Sequence, residues 1–207
     1  MNGAPRPNGI TVRFATVTDV DAIAALHAAR ISDGFLVTLG PSFLRRLYRR
    51  IVQSSQAFVI VADAPSGPRG PRRVRGFIAC ADDTGALYRE FLVHDGVAAA
   101  VAATRGAARA PRAVFETLRY GLRGGDDSHG AEVLATAVAA DYVRRGIASR
   151  LASAAVEEMR RRGATSARVV TAAGNVGAVR AYEHGGFHAN GIDEVHRGVP
   201  QQLLVWP

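Results

Sequence analysis

The chain contains no lysine, a single cysteine and no long apolar run. The last two features each exclude a class of protein. Cys80 alone can form neither an internal disulfide nor a cysteine metal cluster. A membrane span needs ~20 consecutive apolar residues, which the sequence does not offer. The polar, Pro/Gly-rich start lacks the apolar stretch of a signal peptide. The sequence therefore predicts a cytoplasmic protein with no metal, no membrane partner and no disulfide framework.

The composition is that of one globular domain with an excess of positive charge. The chain has 207 residues, of which 48 % are apolar, and a formal net charge of +8. This length suits one sizeable hydrophobic core, so we predict a flexible tail at 1–9 and a single domain at 10–207. The positive field attracts anions. Because no basic run interleaves with aromatic residues, we predict a small polyanionic ligand and no nucleic-acid partner.

Hydrophobic periodicity predicts a mixed α/β (α+β) order of elements. Alternation of period two indicates strands, and apolar spacing of three to four residues indicates amphipathic helices. The predicted strands are 10–17, 57–63, 74–82, 131–139, 166–173 and 201–206, and the predicted helices are 20–31, 43–55, one within 143–163, and 175–187. The residues between them, 33–42 and 64–73 among others, are predicted as loops.

Residues 85–125 interrupt this order with a helical insert between the third and fourth strands. The segment predicts two or three helices, with Pro111 opening the last. An insert of this length is commonly functional. Its arginines could bind an acidic acceptor, or they could belong to a solvated cap or a dimer surface: Arg105, Arg109, Arg112, Arg119 and Arg123.

The stretch "DYVRRGIASRL" (141–151) predicts a tight loop that enters a helix. The first helical turn has backbone N–H groups without partners, and the helix dipole makes that end positive. Gly146 permits close approach of a ligand, and Arg144 and Arg145 add charge. This arrangement favours a pyrophosphate, although an ordinary helix start would show the same residues. It matches neither a P-loop nor a dinucleotide-binding glycine motif.

A second stretch, "NVGAVRAYEHGGF" (175–187), follows a strand and ends at two glycines. Together with "AVAADYVRRGIASRL", it resembles the GCN5-related N-acetyltransferase (GNAT) superfamily. The family's Arg/Gln-x-x-Gly-x-Gly/Ala motif corresponds to residues 143–148, with Val143 departing from the usual Gln or Arg. The later family motif corresponds to Asn175, Ala178, Tyr182 and Gly186–Phe187.

The resemblance implies a mixed, mostly antiparallel twisted sheet with helices on both faces. It also implies acetyl-CoA as co-substrate, with its pyrophosphate at the helix mouth and its pantetheine arm beside the fourth strand, in the manner of an added strand. The cofactor-binding residues so implied are Thr136, Ala137, Val138, Val143, Arg144, Arg145, Gly146, Ile147, Ala148, Ser149, Asn175 and Tyr182.

Two side chains are the candidate catalytic groups. The resemblance assigns Tyr182 as the acid that protonates the departing thiolate; a packed core tyrosine is the alternative. Glu132 is the candidate base, because histone-acetyltransferase relatives have a glutamate at this place and because strict alternation would put it on one face with Leu134, Thr136 and Val138. His129, or water alone, could act instead. His27 is predicted to pack, and Cys80 to be a buried apolar residue.

The acceptor is less well determined. The first hypothesis is the primary amine of a small molecule, attacked directly in a ternary complex, with an aminosugar or a nucleotide-linked aminosugar as its most specific form. The second is a protein N-terminus or lysine, against which Val170 counts, since it stands where such enzymes usually carry a glutamate. The third is a non-catalytic acyl-CoA-binding module. The sequence leaves a homodimer open.

Overall fold

A computed structural model describes residues 9–31, 35–66, 70–102, 130–196 and 199–207. The strands are β1 (Thr11–Phe14), β2 (Ala57–Pro65), β3 (Arg72–Ala81), β4 (Ala131–Val138), β5 (Ala167–Ala172), β6 (His188–His196) and β7 (Val199–Trp206). The α-helices are α1 (Val20–Arg30), α2 (Phe35–Thr38), α3 (Pro41–Gln53), α4 (Thr84–Ala102), α5 (Ile147–Arg161) and α6 (Val176–His184). Within these ranges no helix has both the length and the apolar character that a membrane span needs.

The seven strands form one mixed sheet in the order β1-β2-β3-β4-β5-β7-β6. Only β4 and β5 pair in parallel, and the other neighbours are antiparallel. Antiparallel pairs need only short connections, whereas the parallel pair requires a crossover. Helix α5 supplies that crossover. The fold class predicted from the sequence, a mostly antiparallel mixed sheet with helices, is therefore confirmed.

Two hydrophobic clusters lie on opposite faces of the sheet, and the alternation of the central strands creates both. Phe58 and Ile60 of β2 point into the cluster covered by α5 and α6, while Val59 and Val61 point into the cluster covered by α1, α3 and α4. A strand buried on both faces reads as a continuous apolar run, as "AFVIVA" does. Helices on both faces were predicted and are present.

The predicted amphipathic helix at 43–55 is α3, which begins two residues earlier. Pro41 occupies its first turn, where the missing N–H is not needed. Leu44, Leu47, Tyr48 and Ile51 are buried. The arginines of the helix occupy the opposite stripe, as hydrophobic spacing predicts.

Strand β6 is a correction to the sequence prediction, which assigns no element to 188–200. Residues 188–192 of this edge strand are exposed, and two register shifts interrupt its pairing with β7. An exposed strand with bulges shows no apolar alternation to detect. The predicted first strand, 10–17, is also too long, because Val17–Asp19 forms a 3-10 turn. Within the predicted loop 33–42, residues 35–38 form α2.

The predicted helical insert is observed in its first half. Helix α4 begins at Thr84, packs against α3, and is fixed there by an ion pair of 2.7 Å between Arg50 Nε and Asp95 Oδ2. The remaining predictions for the insert, including the helix at Pro111 and the five arginines, lie in 103–129, outside the described residues. The same holds for the tail at residues 1–8.

His27 packs in the core, as predicted, and makes the fold sensitive to acid. The residue is only 3 % exposed; its Nδ1 lies 2.6 Å from the Tyr48 hydroxyl, and its ring stacks on Phe77. Burial lowers the pKa of His27 to about 4, from an ordinary value of 6.5. The unfolded chain therefore binds a proton in this pH window that the folded chain does not, and stability falls as pH falls.

We expect this difference to lower the free energy of unfolding by about 3 kcal/mol between pH 6.5 and pH 4. Urea unfolding at several pH values measures the change. In His27→Gln, which keeps a polar partner for Tyr48 but does not titrate, this component should disappear. An unchanged pH dependence in the variant would contradict the assignment.

Candidate active site

A gap between β4 and β5 is the centre of the candidate site. The two strands pair only at Ala131–Ala167 and Glu132–Arg168 and then separate, while β5 continues to pair with β7 as far as Ala172. The backbone edges that face the gap can accept an extended chain as an additional strand. A cavity of about 580 Å³ opens there, between β4, β5, α5 and α6.

The N-terminus of α5 forms one end of this cavity. Gly146 is its N-cap, with φ 71°, and no side chain caps the helix. The helical hydrogen bonds begin with the Arg150 N–H donating to the Gly146 carbonyl. The amides of the first turn therefore lie before the first helical bond and can bind an anion. Arg144 also lies in the left-handed region, at φ 59°.

The structure brings together nearly all the predicted cofactor-binding residues. Eleven of the twelve line the cavity: Thr136, Ala137, Val138, Val143, Arg144, Gly146, Ile147, Ala148, Ser149, Asn175 and Tyr182. Ala137 belongs to the core cluster on the opposite face of the sheet, so it meets the cavity through its backbone. Arg145 is the exception, and its guanidinium lies over the Tyr142 ring at 4.7 Å from the centroid.

Asn175 and Thr136 contribute polar atoms to the cavity wall. The Asn175 side chain caps α6 by accepting a hydrogen bond of 3.2 Å from the Ala178 N–H. The Thr136 Oγ1 atom is buried and has no hydrogen-bond partner among the described residues. A buried hydroxyl without a partner is costly, and in a cavity wall it can serve a ligand.

Tyr182 lies on α6 in the wall of the cavity and is 6 % exposed. Its ring meets Phe187 edge to face, with 5.8 Å between centroids. Burial raises the pKa of Tyr182 to about 12. The neighbouring Thr136 hydroxyl lowers this pKa by a smaller amount, although the two hydroxyls do not form a hydrogen bond of good geometry. The phenol therefore stays protonated at physiological pH and can donate a hydrogen bond to an anion in the cavity.

Glu132 lies where the gap closes, and strict alternation gives a wrong prediction for its face. A bulge at Leu134 shifts the register between β3 and β4. Val133 packs with the α5 cluster, whereas Leu134 and Ala137 pack with the α4 cluster. Glu132 therefore lies on the other face from Thr136, since one extra residue reverses the alternation.

The carboxylate of Glu132 is bound on the α4 side. It accepts a hydrogen bond of 3.0 Å from Thr84 Oγ1, and its Oε2 lies 3.3 Å from Arg168 Nη2. Burial raises the pKa of Tyr88 on α4, and the negative charge of Glu132 raises it further. Glu132 is absent from the cavity wall, so its role as base stays a prediction. The rival base His129 lies outside the described residues.

Several cavity residues were missed by the sequence analysis. They are Arg30, Tyr142, Thr171, Val176, Gly177, Arg180, Ala181 and His184, whereas Ala178, which also lines the cavity, belongs to the later family motif. The missed α6 residues could have been found, because each lies within two positions of Asn175 or Tyr182 in the sequence. Arg30 could not, since it ends α1 and reaches the cavity only through the tertiary fold. Cys80 is fully buried, as predicted.

Comparisons with known proteins agree with this geometry. The model of the Acetyltransferase (GNAT) family matches residues 61–187. A search of curated protein sequences gives no significant match.

Solved structures similar to this chain share its fold at low identity. One is Arabidopsis thaliana NAA60 in complex with acetyl-CoA, at 18 % identity, TM-score 0.59, and coverage of 95 % of this chain and 97 % of the other. A second is the ribosomal-protein-S18-alanine N-acetyltransferase from Escherichia coli, at 14 % identity, TM-score 0.57, and coverage of 96 % of this chain and 93 % of the other. A third is the aminoglycoside acetyltransferase AAC(6')-Ib in complex with coenzyme A and kanamycin, at 14 % identity, TM-score 0.55, and coverage of 95 % of this chain and 93 % of the other. Identities this low support the fold and leave the acceptor open.

Proposed function

Because this chain belongs to the Acetyltransferase (GNAT) family and is thus an acetyltransferase, we propose that it transfers acetyl from acetyl-CoA to the primary amine of a small molecule. The observation that carries the proposal is the gap between β4 and β5, which leads to the uncapped N-terminus of α5 and has Tyr182 on its wall. Transfer occurs by direct attack of the amine in a ternary complex.

The residues of the cavity match the pyrophosphate and the pantetheine arm of acetyl-CoA. The amides of the α5 first turn, with Arg144, match a pyrophosphate. The unpaired strand edges match the two amides of the pantetheine arm, and the Thr136 hydroxyl provides an additional polar group. Acetyl-CoA supplies an acetyl thioester: its carbon–sulfur bond breaks as a carbon–nitrogen bond to the amine forms. The amine nitrogen gives up one proton to water or a base, and CoA leaves through its sulfur.

Tyr182 stabilises the leaving group in this proposal. A thiol has an ordinary pKa of ~8.5, whereas burial raises the pKa of Tyr182 to about 12. The phenol therefore donates a hydrogen bond to the departing sulfur and completes proton transfer only if the same desolvation makes that sulfur more basic. A donor aimed at a developing charge in a water-poor site is a strong catalytic contribution.

Helix α4 supports a small acceptor. It packs along α3, and Thr84 in its first turn reaches the Glu132 carboxylate at the closed end of the gap. We infer from this contact that α4 limits the room for an acceptor on that face of the sheet, although none of its described residues lines the cavity itself. The kanamycin complex of the aminoglycoside acetyltransferase shows that the fold admits small amines in a relative. The S18-alanine relative shows that it also admits a protein N-terminus, and our experiment separates the two.

The test is acetyl-CoA turnover against amines of different classes, namely aminosugars, nucleotide aminosugars, aminoglycosides, amino acids, polyamines and short peptides. We expect an acetylated small amine and an equal amount of free CoA, both measured by mass. Turnover of peptides alone would reverse the choice of acceptor. Tight binding of acetyl-CoA with no turnover by any amine would favour the non-catalytic module, and absence of binding would overturn the donor assignment.

A further inference from the structure

Two arginines from different parts of the chain lie over the same aromatic ring at the mouth of the cavity. The guanidinium carbon of Arg75 lies 4.8 Å from the centroid of Tyr142, and that of Arg145 lies 4.7 Å from it. Arg145 precedes α5, whereas Arg75 belongs to β3. We call these three residues the arginine–tyrosine cluster. Arg145 stands at a position of the family motif where any residue is allowed, and Arg75 lies outside the motif.

Arg75 is held next to the first turn of α5. Its carbonyl accepts a hydrogen bond of 2.8 Å from the Ala139 N–H, at the end of β4. The following residue, Gly76, is packed so closely that an added Cβ would lie 2.9 Å from Ile147 Cγ2. Tyr142 itself lines the cavity. The cluster therefore borders the helix mouth on the side of β3.

The positive charge of the cluster is poorly neutralised. Arg75 Nη1 lies 3.7 Å from Asp141 Oδ2, beyond hydrogen-bond distance, and the Asp141 side chain is 65 % exposed. Arg75 Nη2 donates to Ser66 Oγ at 3.3 Å. Among the described residues, Arg144 and Arg145 have no carboxylate within ion-pair distance. Two guanidinium groups on one ring repel each other, and a bound anion would remove that repulsion.

Stacking on Tyr142, together with a hydrogen bond to Ser66, fixes the Arg75 guanidinium. Its Nε is buried and has no hydrogen-bond partner among the described residues, while its side chain is 21 % exposed. A stacked guanidinium keeps its outer N–H groups in a fixed orientation for a planar or tetrahedral oxyanion. Cation–π contacts of this kind are also stronger when partly desolvated.

We propose that Arg75 and Arg145, held on Tyr142, bind the 3′-phosphate of CoA. The proposal rests on the proposed function, which places the pyrophosphate at the amides of α5. CoA carries one further phosphate, a monoester on the adjoining ribose, and it bears up to two negative charges. The cluster offers that group two guanidinium charges beside the helix mouth, and so makes the enzyme selective for CoA over 3′-dephospho-CoA.

Titration calorimetry with CoA and with 3′-dephospho-CoA tests this without an acceptor. We expect the unaltered protein to bind CoA about tenfold more tightly than 3′-dephospho-CoA. In Arg75→Gln this preference should fall below about threefold, while the affinity for 3′-dephospho-CoA changes less than twofold. Each arginine contact to a phosphate is worth roughly 1.4 kcal/mol or more when charge-assisted, which corresponds to this tenfold change.

Arg160→Gln is the matched control. Arg160 also stacks on an aromatic ring, that of Trp206 at 5.2 Å, but it lies in the last turn of α5, away from the mouth. This variant should keep the full preference for CoA. Equal weakening of both ligands in Arg75→Gln, or no preference in the unaltered protein, would overturn the 3′-phosphate site alone. Failure to bind either ligand would overturn the donor assignment as well.

Discussion

Replacing Tyr182 with phenylalanine is expected to lower kcat by about 100-fold while leaving the Kd for acetyl-CoA within twofold of its original value. Loss of one donor to a developing charge typically costs about 10²–10³ in rate. Tyr182 is 6 % exposed and lies in the cavity wall, and phenylalanine leaves no side-chain donor at that place. Rates with the acceptor found in the amine assay, and calorimetric binding of acetyl-CoA, provide the two readouts.

The fold should tolerate this change, because phenylalanine keeps the ring that contacts Phe187. Tyr48→Phe is the matched control, since it removes another buried tyrosine hydroxyl, the one 2.6 Å from His27 Nδ1. That variant should lose some stability, of the order of 1 kcal/mol, and keep its kcat. If Tyr182→Phe and Tyr48→Phe lower kcat equally, or if Tyr182→Phe loses binding and rate together, the catalytic role of the hydroxyl is wrong.

Gly146→Asp is expected to weaken acetyl-CoA binding by about 100-fold and to leave the folded state intact. The position has φ 71° and no atom within 4 Å of an added Cβ, and aspartate is among the residues that tolerate this backbone region. A carboxylate at a helix N-terminus also stabilises the helix, because its negative charge interacts favourably with the positive end of the helix dipole. It would, however, lie against the pyrophosphate, and like charges 4 Å apart repel by about 4 kcal/mol at an effective dielectric of about 20.

Gly146→Asn separates charge from shape, because the amide is nearly the same size and is uncharged. We expect this variant to weaken binding by about tenfold or less, which is about 1.4 kcal/mol, because it adds a side chain beside the pyrophosphate without adding charge. Calorimetry at two salt concentrations adds a second criterion, since screening should reduce the difference between the aspartate and asparagine variants. Equal losses in both variants would show that space rather than charge governs this position. A melting temperature lowered in the aspartate variant alone would contradict the expected helix stabilisation.

The sequence alone determined the parts of this protein whose contacts are local. The hydrophobic spacing of α3 predicted its buried face, which includes Leu44 and Ile51. This was possible because side chains three to four residues apart lie on the same face of a helix. The loop before α5 was predictable for the same reason, since its glycine and arginines adjoin the helix that they precede. Eleven of the twelve predicted cofactor residues line one cavity, because the two motifs come from elements that pack together, α5 and α6.

Only the tertiary structure decided the features that depend on pairing between distant segments. The bulge at Leu134 is a property of the β3–β4 register, and it moved Glu132 to the face opposite Thr136. Arg75 meets Tyr142, which follows it by 67 positions in the sequence, because β3 packs against the start of α5. A periodic pattern records which face of an element is buried, but it carries no record of which partner residue lies opposite, because that choice is made by packing across the whole sheet.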